Sequence, residues 1–180
     1  PLGGMNLTND IAFGLRTPMK SAEKLKIAHS CALASQVQNN EVVEVSSVGD
    51  RDARTISKRV LAEICEPRVE EILSLVDQEL VRSGFKEMVG AGVVLTGGSS
   101  QIAGIEELGE QIFDLPTRVG APRGVGGLTD IVNNPSHATA VGLLQWGAET
   151  HKDDLRFGIR EKGIFNRILA SMRKWFSEIS

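Results

Sequence analysis

The sequence predicts an α/β fold, and three observations carry that expectation. Short β-branched runs alternate with longer segments of helical period, so strands and helices interleave. A hydrophobic content of 41% over 180 residues is enough for a core and bounds the chain at one large domain or two small ones. An apolar run at Gly92–Leu95 passes directly into a glycine-rich turn and then a helix.

The elements follow in order. Pro1–Gly4, ahead of Met5, read as a cloning scar. "MKSAEKLKIAHSCALA" predicts a helix capped by Ser21, with Glu23 and Lys24 in its first turn. Glu41–Val48 alternates and is β-branched, so it reads as a strand. Ser57–Gly84 is the strongest helical signal, with Ser57 as N-cap and Gly84 just past the C-terminus. Pro67 inside it fits either a kink or the first turn of a second helix. "GVVLTGGSSQIAGIEELGEQIF" reads as a buried strand, a turn and a helix, "TRVGAP" as a short strand, and "SHATAVGLLQWG" as a small-residue helix. "AETHKDDLRFGIREK" is polar and aperiodic, so it reads as a linker. No internal repeat is present.

The charge is uneven. Residues 151–180 carry seven Lys/Arg and four Asp/Glu, whereas residues 1–150 carry thirteen and nineteen. A mildly acidic body with a basic tail is not a general nucleic-acid binder. Cys31 and Cys65 stand in unrelated contexts and read as buried thiols of a reducing compartment. No continuous apolar run of membrane-spanning length and no signal peptide is seen, so the expected location is cytosolic. His29, His137 and His151 lack metal-ligand spacing, and no nucleophile elbow surrounds Ser99 or Ser100. Neither a catalytic residue nor a metal site is predicted.

"TGGSSQIAG" after a strand lets the backbone approach a ligand at a helix start, but an ordinary strand–helix turn has the same residues. It is neither a P-loop nor a full dinucleotide fingerprint. With "SAEKLKI" beside it, the turn resembles the adenosine motif of the actin-like ATPases. "LTNDIAFGLRTP", "LAEICEPRVEEIL", "APRGVGGLTDIV" and "NPSHATAVGLL", with the tail, are similar in order and spacing to the FtsA family of that superfamily.

The resemblance implies part of an actin/Hsp70-like nucleotide-binding fold. It divides the chain into residues 5–17 and 89–150 (part of subdomain 2A), 18–88 (2B), a linker at 151–163 and a helix at 164–180. It implies nucleotide contacts at Glu23, Lys26, Gly97, Gly98 and Ser99. The family binds ATP with Mg2+, but its two phosphate hairpins are absent here, so nucleotide binding by this chain should be weak or none and catalysis is not expected. Read by themselves, Glu23 and Lys26 also fit a solvated i,i+3 pair.

Arg54, Lys58, Arg59 and Arg68 gather basic charge near the start of the long helix, which fits either a solvated face or a groove for an acidic peptide. The resemblance implies the second, with the C-terminal tail of FtsZ as the peptide. It also implies other cell-division partners and self-association for the full-length protein.

The last segment, projected as a helix, separates completely. Ile164, Phe165, Ile168, Leu169, Met172, Trp175, Phe176 and Ile179 fall on one side, and Arg167, Arg173 and Lys174 on the other. Three of the eight Phe and Trp residues lie here, as an interfacial membrane helix requires. A helix docked on its own domain would look similar, and the family resemblance favours the membrane. The expected function is a cell-division adaptor that tethers FtsZ filaments to anionic lipid, peripherally, at the inner face of the bacterial membrane where the cell divides. Half of a nucleotide hydrolase, or a structural subunit whose tail packs in an oligomer, remain as alternatives.

Overall fold

A computed structural model describes residues 2–47, 52–126 and 132–150. Contacts divide the chain into Pro1–Ala138 and Thr139–Ser180.

The first unit opens with α1 (Gly4–Gly14). Asn6 accepts at its side chain from Gly3 N–H (3.0 Å), which caps the helix start. Gly3 and Gly4, set aside from the sequence as a scar, are thus the cap and first residue of a helix. The helix α2 (Met19–His29) begins two residues before the predicted Ser21 cap. Pro18 takes the cap position, because its fixed φ suits a helix start and its carbonyl accepts from Ser21 and Ala22 (both 2.9 Å).

Strands β1 (Val42–Val45) and β2 (Arg54–Ser57) form an antiparallel pair, with Val42 opposite Ser57 and Val45 opposite Arg54. Val43 and Val45 face the core. The helix α3 (Lys58–Arg82) follows directly. Ser57 caps it, accepting from Arg59 N–H (3.3 Å), and Gly84 lies beyond its end at φ +74°, both as predicted. Pro67 sits inside one continuous helix. Its missing N–H loses a backbone bond, but Leu61, Ala62, Cys65, Val69 and Leu73 bury one face on both sides of it.

Strands β3 (Val93–Leu95) and β4 (Thr117–Val119) are parallel and joined through α4 (Ile105–Phe113). The β3 strand is half-exposed rather than buried, because only one strand covers it among the described residues. The core joins α1, α2, β1, α3 and α4 around Phe113, Leu7, Ile11 and Leu61, all essentially inaccessible. In the second unit, α5 (Ala138–Thr150) runs into the segment predicted as a linker. The rest of that linker and the amphipathic segment from Ile164 lie outside the described residues.

Candidate functional site

Where β3 ends, Gly97 turns the chain at φ +93°, a conformation that favours glycine. Its N–H donates to Pro135 O (3.0 Å). The next residues, Gly98–Gln101, form one 3-10 turn that faces α2 across an open space. Between them lies a cavity of about 500 Å3. Glu23, Lys26, Lys58, Gly98, Ser99 and Ser136 are among its walls. Four of the five residues predicted for a nucleotide thus share one cavity. Gly97 shapes the turn behind it.

Lys26 is committed inside the protein. Its ammonium has three N–H donors, and three acceptors take them: Glu23 Oε2 (2.8 Å), Thr8 Oγ1 (3.0 Å) and Gly4 O (3.1 Å). It positions Glu23 and ties the start of α1 to α2. Thr8 is buried, and its single hydroxyl proton is shared between Glu23 Oε2 and Gly4 O (3.0 Å). Partial burial pushes the Glu23 carboxyl up, but the hydrogen bonds from Lys26 and Thr8 and the Lys26 charge outweigh it, so it titrates below its usual range. Both internal bonds use Oε2. Among the described residues Oε1 accepts none, which leaves an ionised acceptor at the cavity wall. Gly4 packs so closely on Ser99 that a side chain there would overlap the hydroxyl.

The four basic residues predicted as one patch each have their own partner. Arg54 Nη2 donates to Leu15 O at the end of α1 (2.5 Å). Lys58 pairs with Glu41 (2.7 Å) and lines the cavity. Arg59 reaches Glu63 (3.3 Å) and Asn39 (3.4 Å). Arg68 grips Asp10 through Nε (2.5 Å) and Nη2 (3.1 Å) and also pairs with Glu71. Lys58 and Arg68 are ten residues apart, about 15 Å along a helix. Each cation has its own neighbour, so the positive charge is divided between the cavity rim and the α1–α3 seam. Thr8 and Asp10, which complete these two networks, lie in "LTNDIA", where no local pattern marks them.

The family model described as cell division protein FtsA matches residues 1–142. The chain belongs to the FtsA family. The match takes in Pro1–Gly4. FtsA of Pseudomonas aeruginosa is 47% identical over 159 residues, covering 88% of this chain and 38% of that protein. FtsA of Escherichia coli K12 is 39% identical over 187 aligned residues, covering all of this chain and 43% of that protein. This FtsA-family chain therefore spans about two fifths of the curated relatives it matches. Among solved structures it is similar to MreB5 of Spiroplasma citri bound to AMPPNP, with a TM-score of 0.66 at 18% identity. That likeness covers 87% of this chain and 46% of the other and shows the fold: part of the actin/Hsp70-like α/β architecture.

Proposed function

We propose that this chain is the part of an FtsA-type division adaptor that joins FtsZ to the membrane. The observation that carries the reading is membership of a cell-division family in a chain whose last residues separate cleanly into an aromatic, apolar side and a basic side. In this reading the α1–α3 seam around Arg68 receives the acidic FtsZ tail, and the segment from Ile164 lies in anionic lipid at the division site. Apolar burial and about 1 kcal/mol per basic residue near anionic lipid would hold that segment reversibly.

The test is co-pelleting with anionic liposomes, with and without an FtsZ tail peptide. The chain should pellet and carry the peptide with it. Cutting before Ile164, or Trp175→Glu, should abolish pelleting and leave the fold intact. Pelleting by the cut chain would refute the anchor.

The cavity supports a second property, the adenosine side of an ATP site. Glu23 Oε1 suits a pair of ribose hydroxyls, and a volume of about 500 Å3 is in the range of small-molecule sites. Bound ATP with Mg2+ would supply a nucleotide-dependent state of the full-length protein. With neither phosphate hairpin in this sequence, affinity of this chain should be millimolar, on the order of 4 kcal/mol. Calorimetry giving a micromolar Kd would refute that.

A further inference from the structure

Helices α1 and α3 end in the same way, with one difference. In α3, Gly84 N–H donates to Val81 O (3.0 Å) and Phe85 N–H to Leu80 O (3.2 Å). In α1, Arg16 N–H donates to Phe13 O (3.2 Å) and Thr17 N–H to Ala12 O (3.0 Å). This pair of bonds is the Schellman closure, which puts the residue after the cap at positive φ, where glycine is the ordinary occupant. In α3 that residue is Gly84, at φ +74°; in α1 it is Arg16, at φ +47°. A side chain in that conformation is strained, and glycine would relieve the strain.

The neighbours give that side chain a use. Arg16 is exposed and forms no ion pair among the described residues. Three residues earlier, Phe13 is 88% exposed, unusual for an aromatic ring. Arg54 reaches the same helix end through Leu15 O. One turn back, Asp10 holds Arg68 in the α1–α3 seam. Along α1, Phe13 thus lies between Asp10, which holds Arg68, and Leu15, whose carbonyl holds Arg54, with Arg16 next in the chain. The carboxylates of the seam, Asp10 and Glu71, are both bonded to Arg68.

We propose that Phe13 and Arg16 anchor an acidic, partly apolar peptide, the ring taking an apolar side chain and the guanidinium a carboxylate. Exposed aromatic and arginine side chains are the residue types that dominate such contacts, and arginine binds carboxylates bidentately. The inference rests on the peptide reading given above and adds the two residues that would set its affinity.

The experiment is fluorescence anisotropy of a labelled FtsZ tail peptide against the full 180-residue chain and its Arg16→Gly, Phe13→Ala and Arg68→Ala variants, with melting temperatures measured in parallel. Arg16→Gly keeps the closure and relieves the strain. Its melting temperature should match or exceed the parent's while affinity falls about fivefold or more. Phe13→Ala should lose about tenfold in affinity with an unchanged melting temperature, since the ring packs on little. Peptide binding that depends on Arg68 yet ignores both variants would overturn the inference and leave the peptide reading standing. A lower melting temperature for Arg16→Gly would overturn it as well, because the side chain would then be a packing group. Failure of the parent chain to bind the peptide would remove the peptide reading, and this inference with it.

Discussion

Asp10 and Arg68, 58 residues apart, join α1 to α3 through two hydrogen bonds from one guanidinium, Nε at 2.5 Å and Nη2 at 3.1 Å. Glu71 holds the same group from the following turn of α3. The Asp10 contact raises the affinity of Arg68 for its proton, so the cation is permanent. Any ligand that meets Arg68 meets a guanidinium already oriented by two carboxylates.

Arg68→Ala should lower the melting temperature, and Arg68→Glu should lower it further, because three carboxylates would then face one another. Pairing Arg68→Asp with Asp10→Arg should recover part of the loss. Thermal unfolding by circular dichroism measures the order. Equal melting temperatures for all variants would mean that the pair contributes nothing to the seam.

Glu23 should shape the acid limb of stability. Its folded carboxyl titrates below the free value of 4.5, so its network adds stability above that pH and loses it as pH falls through the lower folded value. Urea midpoints measured from about pH 6 down to pH 3 should fall less steeply for Glu23→Gln than for the parent. A parallel pair of curves would contradict this.

Ser57 should matter to α3 as a cap. Ser57→Ala should cost about 1 kcal/mol and Ser57→Gly only a few tenths, because glycine still suits the cap backbone. Chemical denaturation separates the two.

Phe113 is fully inaccessible at the end of α4 and lies in the shared core. Phe113→Ala should cost about 3–5 kcal/mol, the transfer term plus a cavity. A loss under about 1 kcal/mol would mean that the site collapses around the vacancy.

Cys65 lies on the buried face of α3, and burial pushes its thiol up to about 12. Thiolate reagents should leave it unlabelled in the native chain and label it on unfolding. Native labelling at neutral pH would show that α3 opens there.

Local chemistry was enough for some of this. The limits of α3 were legible because Ser57 and Gly84 act on backbone within a few residues. The strand, glycine turn, helix and second short strand around β3 and β4 were legible from period and composition, but their parallel pairing and the partial exposure of β3 were not. The family was legible because its segments keep their order along the chain, and the model match over residues 1–142 shows it.

Where a capping side chain competes with a pre-set backbone, the local signal misled: Ser21 looked like a cap, but Pro18 opens α2 with its own carbonyl. The α1 helix has glycine rather than a polar residue at its N-cap and no strong period, and β2 is a four-residue strand whose partner, β1, comes earlier in the chain. A reading of local pattern passes over both.

Sequence by itself determined the types of most elements, the α3 ends and the family, because propensity, capping and segment order act at short range. Tertiary structure decided that Pro67 stays within one helix, since buried neighbours on both sides offset one lost bond. It decided that Lys26 spends all its donors on Glu23, Thr8 and Gly4 rather than on the cavity. It also decided that Arg68 meets Asp10 and that Phe13 is left exposed. The Asp10–Arg68 pair and the contacts of Lys26 with Thr8 and Gly4 depend on how α1 lies against α2 and α3, a packing of residues far apart in the chain that no local pattern encodes.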